Sequence, residues 1–367
     1  MIKVMTIFGT RAEAIKMIPI IEELNQNQHT NCIVCVTGQH REMLDQVLDT
    51  FNIVPHYDLN IMKQDQSLTE ITTKSIIGLE KIITKENPEI ILVHGDTNTT
   101  LSGALTAFYN KIKIGHIEAG LRTYNKYSPY PEEVNRQLVS RLADIHFAPT
   151  VNNKKNLLTE GIKEKNIYIT GNTIVDLLKR NIKNDYKSFI TDWVGDSKMI
   201  LLTIHRRENI GNNIVNCFNA VKKILNDFPD VKIVYPIHRN QKIRKLAKKH
   251  LADIENIMIT EPLNIQDFDN IQSKAYIILT DSGGIQETSP ILGVPTLVLR
   301  DTTERQESIA TGVVKIIGTN KNKIYNEVKK LLENPALYNI MKKSSNIYGD
   351  GTAAKKIVNI LIERYDV

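Results

Sequence analysis

Cysteine is almost missing from this chain: 367 residues contain three. So few thiols exclude a disulfide framework. Cys32 and Cys35 form one C-x-x-C in "NCIVCVTG", but the surrounding residues alternate and branch as in a strand, where positions i and i+3 face opposite ways. Two core thiols are the expectation. Neither a second cysteine pair nor a histidine cluster is present to complete a zinc site, so no metal is expected. Long apolar runs are missing too, none approaching the roughly 20 residues of a membrane span. The start, "MIKVMTIFGT", has a strand-like pattern and not that of a signal peptide. The expectation is a cytoplasmic protein with no membrane partner. Charge of one sign is in modest excess, +6, which suits an anionic partner. Lysine is spread along the chain in patches such as "RKLAKKH" that read as solvated helix faces, so nucleic acid is not expected.

What is present suits a soluble globular protein with room for two domains: 41% hydrophobic and 24% charged residues. Short Ile/Val-rich runs ("IKVMTIFG", "CIVCVT", "EIILVHG", "KIGHIE", "DIHFAP", "NIYIT") alternate with helical stretches such as "EMLDQVLDTF". Runs apolar throughout and separated by helices predict a parallel sheet covered on both faces. A polar stretch without clear period, "IKNDYKSFITDWVGDSK", follows, and the rhythm resumes in "MILLTIH", "VKIVYPIH", "NIMIT", "AYIILTD", "PTLVLR" and "VVKIIG". The expectation is two doubly wound α/β domains, residues 1–172 and 173–352, joined by a linker near 172–197, with residues 353–367 as a closing helix.

In such folds ligands bind outside the carboxyl ends of the strands. Asp96 in "ILVHGDTNTT" stands at such an end, although with Thr97 it could also cap the next helix. Glu118, closing an apolar run, needs a partner or a ligand. Glu132 and Glu133 follow a proline in a first helical turn, where dipole complementarity explains one of them. His205 could be a core histidine, but "HRRE" sets two cations beside it. "DSGG" before a helix offers backbone N–H groups with no Cβ in the way of a phosphate, although it is neither G-x-G-x-x-G nor a P-loop. "DFD" at 267–269 reads as a helix opening near Asn264 and not as a metal site.

Taken together, "FGTRAEAIKM", "VHGDTNTT", "GHIEAGLRT", "YPEEVNRQL", "LLTIHRREN", "DSGGIQETSP", "LVLRDTTER" and "YGDG" resemble, in order and spacing, the signatures of the non-hydrolysing UDP-N-acetylglucosamine 2-epimerases. The resemblance covers essentially the whole chain. It implies two Rossmann-like domains in the GT-B arrangement, the last helix crossing back to the first domain, a homodimer, and no nicotinamide or metal cofactor. It also implies interconversion of UDP-GlcNAc and UDP-ManNAc for bacterial surface polysaccharides, by loss of UDP to 2-acetamidoglucal and its re-addition. Such chemistry needs acid/base groups around C1 and C2, plus cations and backbone donors for the departing diphosphate.

Carried over residue by residue, the resemblance implies that Asp96, Glu118 and Glu132 form the acid/base set, with Arg136 holding a carboxylate. Which carboxylate is acid and which base stays open. His205 would stand near the leaving diphosphate, helped by Arg11, Lys16, Arg206 and the N–H groups of Ser282, Gly283 and Gly284. Phe268 would pack on uracil and Arg305 complete the site. The chain departs from the pattern at Ala12 and Gln306, where prolines are usual, and at Thr288, where the family has the second of two glutamates, the ribose-binding acid. Glu287 is its helical neighbour, roughly 100° away. Relatives bind a second UDP-GlcNAc as an activator through two glutamines three residues apart and an arginine. This chain has Gln39, but Glu42 and Asp65 in the other two places, with Arg206 and His238 completing the pocket, which predicts a weakened activator site. The rival readings are a hydrolysing relative that releases ManNAc and UDP, a glycosyltransferase, and a catalytically weak UDP-sugar-binding paralogue or sensor.

Overall fold

The computed structural model describes residues 1–206, 209–252 and 254–366. The second cation of "HRRE", Arg207, lies outside them. The chain forms two compact units, residues 1–179 with 348–367, and residues 180–347.

In the first unit the apolar runs become β1 (Ile2–Phe8), β2 (Thr30–Val36), β3 (Tyr57–Asp58), β4 (Ile90–His94), β5 (Lys113–Ile117), β6 (Ile145–Ala148) and β7 (Ile167–Ile169). They form one parallel sheet in the order β3-β2-β1-β4-β5-β6-β7. β4 is buried along its whole length, as a central strand covered on both faces must be. Only β3, two residues on the edge, was not legible as a strand. The second unit repeats the plan with β8 (Lys198–Thr203), β9 (Val231–Pro236), β10 (Ile257–Thr260), β11 (Ile277–Thr280), β12 (Thr296–Val298) and β13 (Val314–Ile316). Their order is β10-β9-β8-β11-β12-β13, again parallel.

Helix starts follow from local chemistry. Thr10 and Glu13 form a capping box at the head of the helix Arg11–Gln26, so the exposed Ala12 follows a cap that does not depend on proline. Ser188 and Thr191 do the same for Phe189–Val194, a short helix inside the stretch that showed no period. The first unit keeps the chain through Lys179 because its anchors lie there: Thr173 Oγ1 donates to Lys16 O (2.6 Å) and Asn172 N–H to Tyr348 O (2.8 Å). Asp176 then accepts the N–H groups of Ala353 and Ala354 (3.2 and 2.9 Å) at the start of the last helix, Ala353–Arg364, which packs on Arg11–Gln26.

Cys32 and Cys35 are buried free thiols on β2, as is Cys217 in a helix of the second unit. Burial pushes all three up to about 12, which makes them inert core groups at neutral pH. Among the described residues no helix is long and apolar enough to cross a membrane.

Candidate active site

Both sheets reverse their strand order next to the first strand laid down, between β1 and β4 in one unit and between β8 and β11 in the other. In doubly wound sheets the crevice opens at that point, beyond the carboxyl ends of the strands. Arg11 and Lys16 follow β1, Asp96 follows β4, and Glu118 follows β5. His205 and Arg206 follow β8, and Ser282 to Gly284 follow β11.

Asp96 does not cap the helix Asn98–Tyr109; Thr97 does, accepting from Thr100 N–H. That leaves the Asp96 carboxylate to Arg136, whose Nη2 lies 2.6 Å away. Asn135 Nδ2 donates to Asp96 O (2.9 Å), docking the β4 loop on the helix Glu132–Leu142. Glu132 and Arg136, four residues apart, share a face of that helix. Glu132 Oε2 is buried and has no hydrogen-bond donor among the described residues. Its neighbour Glu133 is fully buried and braces the preceding loop, accepting the N–H groups of Thr123 and Tyr124 at 3.0 Å each.

Glu118 sits in the left-handed region, φ 62°, a conformation that a side chain other than glycine, asparagine or aspartate rarely adopts. Its Oε2 is held by the Lys16 ammonium and by Asn172 Nδ2 (2.8 Å). The Lys16 and Glu118 side chains are 9% and 8% exposed, so the pair is close to dry. His94 Nε2 lies 3.8 Å behind the same oxygen. Burial pushes His94 down to about 4, and Glu118 opposes that only in part. Glu13 ties the β1 and β4 loops together, accepting from Gly9 and Thr10 N–H and from the hydroxyls of Thr97 and Thr100. Its own burial raises its carboxyl against those four donors.

In the second unit the fully buried Asp281 accepts the N–H groups of His205 (2.9 Å) and Arg206 (2.8 Å), and its Oδ1 lies 3.2 Å from His205 Nδ1. Ser282 N–H donates to Thr280 Oγ1 (2.9 Å), so the first-turn donors of the helix Gly283–Leu292 begin with Gly283 and Gly284. Gly283 leaves room for the Arg305 guanidinium: a Cβ there would stand 2.7 Å from Arg305 Cζ and would have to push it aside. Arg305 is oriented by Glu287 (Nε and Nη2 each 2.7 Å from Oε1) and by Glu304, which also faces Arg300 at 3.4 Å. Burial alone would raise the Glu304 carboxyl, but Arg305 and Arg300 overcome it and hold it far below the usual range.

Glu287 and Thr288 diverge as helix geometry requires. Thr288 Oγ1 accepts from Gln272 Nε2 (2.6 Å), and both residues are buried. Phe268, half-buried on Ile265–Lys274, packs on the core formed by Ile190, Met199, Leu201 and Ile278. The acids of "DFD" have protein partners: Asp267 accepts from Tyr186 and Asn264, Asp269 from Asn181.

Of the activator residues, Gln39 Oε1 accepts the Thr99 hydroxyl (2.9 Å), Glu42 opens the helix Glu42–Thr50, and Asp65 is exposed at φ 55°. These three belong to the first unit. His238 belongs to the second, its ring stacked on His205 at 5.5 Å and 10°. Asn172, Asn209 and Asp281 are site neighbours that the sequence reading missed. For Asp281 the signal was there, in its place at the head of the glycine pair.

Two Rossmann-like doubly wound sheets in one chain, shared with the solved structures named below, place the protein in the GT-B fold class. The family model described as "UDP-N-acetylglucosamine 2-epimerase" matches residues 22–362, and the chain belongs to that family. It is 51% identical to the UDP-N-acetylglucosamine 2-epimerase of Bacillus subtilis strain 168 over 364 residues, 99% of this chain and 96% of the relative. Among solved structures, the S. aureus MnaA–UDP co-structure is similar at TM-score 0.95 and 52% identity, covering 100% of this chain and 97% of that one. The UDP-GlcNAc 2-epimerase from Neisseria meningitidis bound to UDP-GlcNAc gives TM-score 0.93 and 47% identity, covering 98% and 100%.

Proposed function

We propose that the protein interconverts UDP-GlcNAc and UDP-ManNAc without hydrolysis and without a cofactor, in the cytoplasm, and supplies ManNAc units for surface polysaccharide. The C2 hydrogen of the sugar is not acidified by a neighbouring carbonyl. The reaction therefore runs by elimination: a carboxylate takes the C2 proton, the C1–O pair leaves with UDP, and 2-acetamidoglucal remains. UDP then re-adds as C2 is protonated on the other face.

The observation that carries this reading is the arrangement of acids in the first unit. Asp96 is paired with Arg136 and Glu118 with Lys16, while Glu132 keeps a buried oxygen without a donor among the described residues. Binding alone needs no such trio; removing and returning a proton on two faces does. The first unit would then handle the sugar. The second would hold UDP, with His205, Arg206, Arg305 and the Gly283 and Gly284 N–H groups at the diphosphate and Phe268 at the base.

We expect a homodimer as the working form. Phe108, Tyr109, Val134 and Leu138 are exposed on two helices packed against each other, an apolar face that a second copy would cover.

The test is incubation of pure protein with UDP-GlcNAc in D2O, followed by NMR of the anomeric signals. UDP-ManNAc carrying deuterium at C2, unaffected by EDTA or by omission of NAD, is the expected result. Free ManNAc as the main product would support the hydrolysing reading instead.

A further inference from the structure

Asp281 has no expected role in the sugar chemistry, yet it is a heavily engaged acid of the second unit. Buried at the end of β11, it accepts the backbone N–H groups of His205 and Arg206 and the Nδ2 of Asn209 (2.9 Å). The same carboxylate meets the His205 ring at Nδ1, 3.2 Å from Oδ1. Backbone and ring of one histidine are thus set against one acid. An ionised carboxylate only accepts hydrogen bonds, so the nitrogen facing it carries the proton, and Nε2 is turned away from Asp281.

The second ring fixes where charge can reside. His238 stacks on His205 nearly parallel, 5.5 Å between centroids. Its Nδ1 accepts the N–H of Asn240 (3.1 Å), so that nitrogen is bare and the ring is neutral. A cationic His205 therefore faces a neutral ring on one side and Asp281 at its edge.

We propose that Asp281 is a positioning residue that holds His205 with Nδ1–H directed at its carboxylate, so that Nε2 presents a charged donor to the departing diphosphate. The inference rests on the epimerisation reading for the identity of that leaving group. In the elimination the C2–H pair becomes the C1=C2 bond and the C1–O pair leaves on the β-phosphate oxygen. His205 donates a hydrogen bond to that oxygen and keeps its proton, so nothing is oxidised or reduced. Asp281 touches no substrate atom.

The test uses the full chain labelled with 15N-histidine and saturated with UDP. The His205 signals, assigned by their loss in His205→Gln, should show a protonated Nδ1; a bare Nδ1 overturns the proposal. In turnover, Asp281→Asn should lower kcat about 10²-fold while UDP affinity changes no more than about threefold. Added to His205→Gln, it should cost nothing further, because the two act as a unit. A further loss of about tenfold or more in that background would make Asp281 merely structural. If Asp281→Asn fails to fold, the wild-type spectrum still decides. Absence of UDP-ManNAc from the wild-type reaction would sink the epimerisation reading and leave the tautomer result standing.

Discussion

Gln272 Nε2 donates to Thr288 Oγ1 across 2.6 Å, inside the second unit, where both side chains are almost fully buried. The amide lies where a longer acid at position 288 would have to go. Thr288→Glu alone should therefore not improve UDP binding. Forcing two more heavy atoms into a filled site costs about 1–3 kcal/mol, read as a lower melting temperature. Adding Gln272→Ala opens the space, and the double variant should bind UDP about tenfold more tightly by calorimetry, the return on one charged hydrogen bond. Tighter binding by Thr288→Glu alone, with an unchanged melting temperature, would show that Gln272 is no obstacle.

Arg136 answers two carboxylates, Asp96 at 2.6 Å and Glu133 at 3.6 Å, from a side chain 4% exposed. Arg136→Met would leave both without it, one of them fully buried. Stability should fall by roughly 3–5 kcal/mol, measured by urea unfolding, and kcat by at least about 10²-fold. Asp96→Asn and Glu118→Gln should lose similar activity yet still bind UDP, since their proposed partner is the sugar. Wild-type turnover in either amide variant would remove it from the acid/base set.

The two-domain plan was legible because a parallel sheet buried on both faces leaves uninterrupted apolar runs, such as "IILVH" and "MILLT", that no surface element would carry. β3 was not legible: two residues at a sheet edge leave no period to read. Among the site residues, the strand-end positions of Asp96, Glu118 and His205 followed from that same plan. Their pairings did not, because Arg136 reaches Asp96 across 40 positions and Asn172 reaches Glu118 across 54. Periodicity says nothing about such distances. Asp281 was hidden by its neighbours, since a glycine pair draws attention to backbone donors while the acid before it turns inward.

The histidines of the first sheet predict an acid-sensitive fold. Burial pushes His94 and His146 down to about 4 and His116 to about 3, all below the unfolded value near 6.5. The sign follows: the unfolded chain takes up these protons first, so stability is full above about pH 6.5 and falls as pH drops toward 4. Each histidine contributes a slope of about 1.4 kcal/mol per pH unit in that window. Urea midpoints measured from pH 7 to 5 should fall steadily, and His146→Phe should flatten the slope by about one histidine's share. An equal slope in that variant would mean that His146 is already protonated in the folded state.

The activator pocket is expected to be weak for electrostatic reasons. Glu42 and Asp65 stand where the resemblance implies a glutamine and an arginine, and the nearby Arg41 is already taken: its guanidinium pairs with Asp45 and, at 2.6 Å, with Asp58. Gln39 is turned to Thr99. A diphosphate approaching these residues meets two acids, Glu42 and Asp65, and an Arg41 already engaged by carboxylates, which favours repulsion. Conversion of pure UDP-ManNAc should therefore begin without a lag and without added UDP-GlcNAc. The double variant Glu42→Gln, Asp65→Arg should introduce a lag that trace UDP-GlcNAc abolishes. A long lag in the wild type, removed by the same trace, would show that the pocket still binds its activator and that charge at these two positions does not control it. No turnover under either condition, with UDP still bound, would mark the chain as a binding paralogue whose carboxylates are held too tightly by Lys16 and Arg136 to exchange a proton.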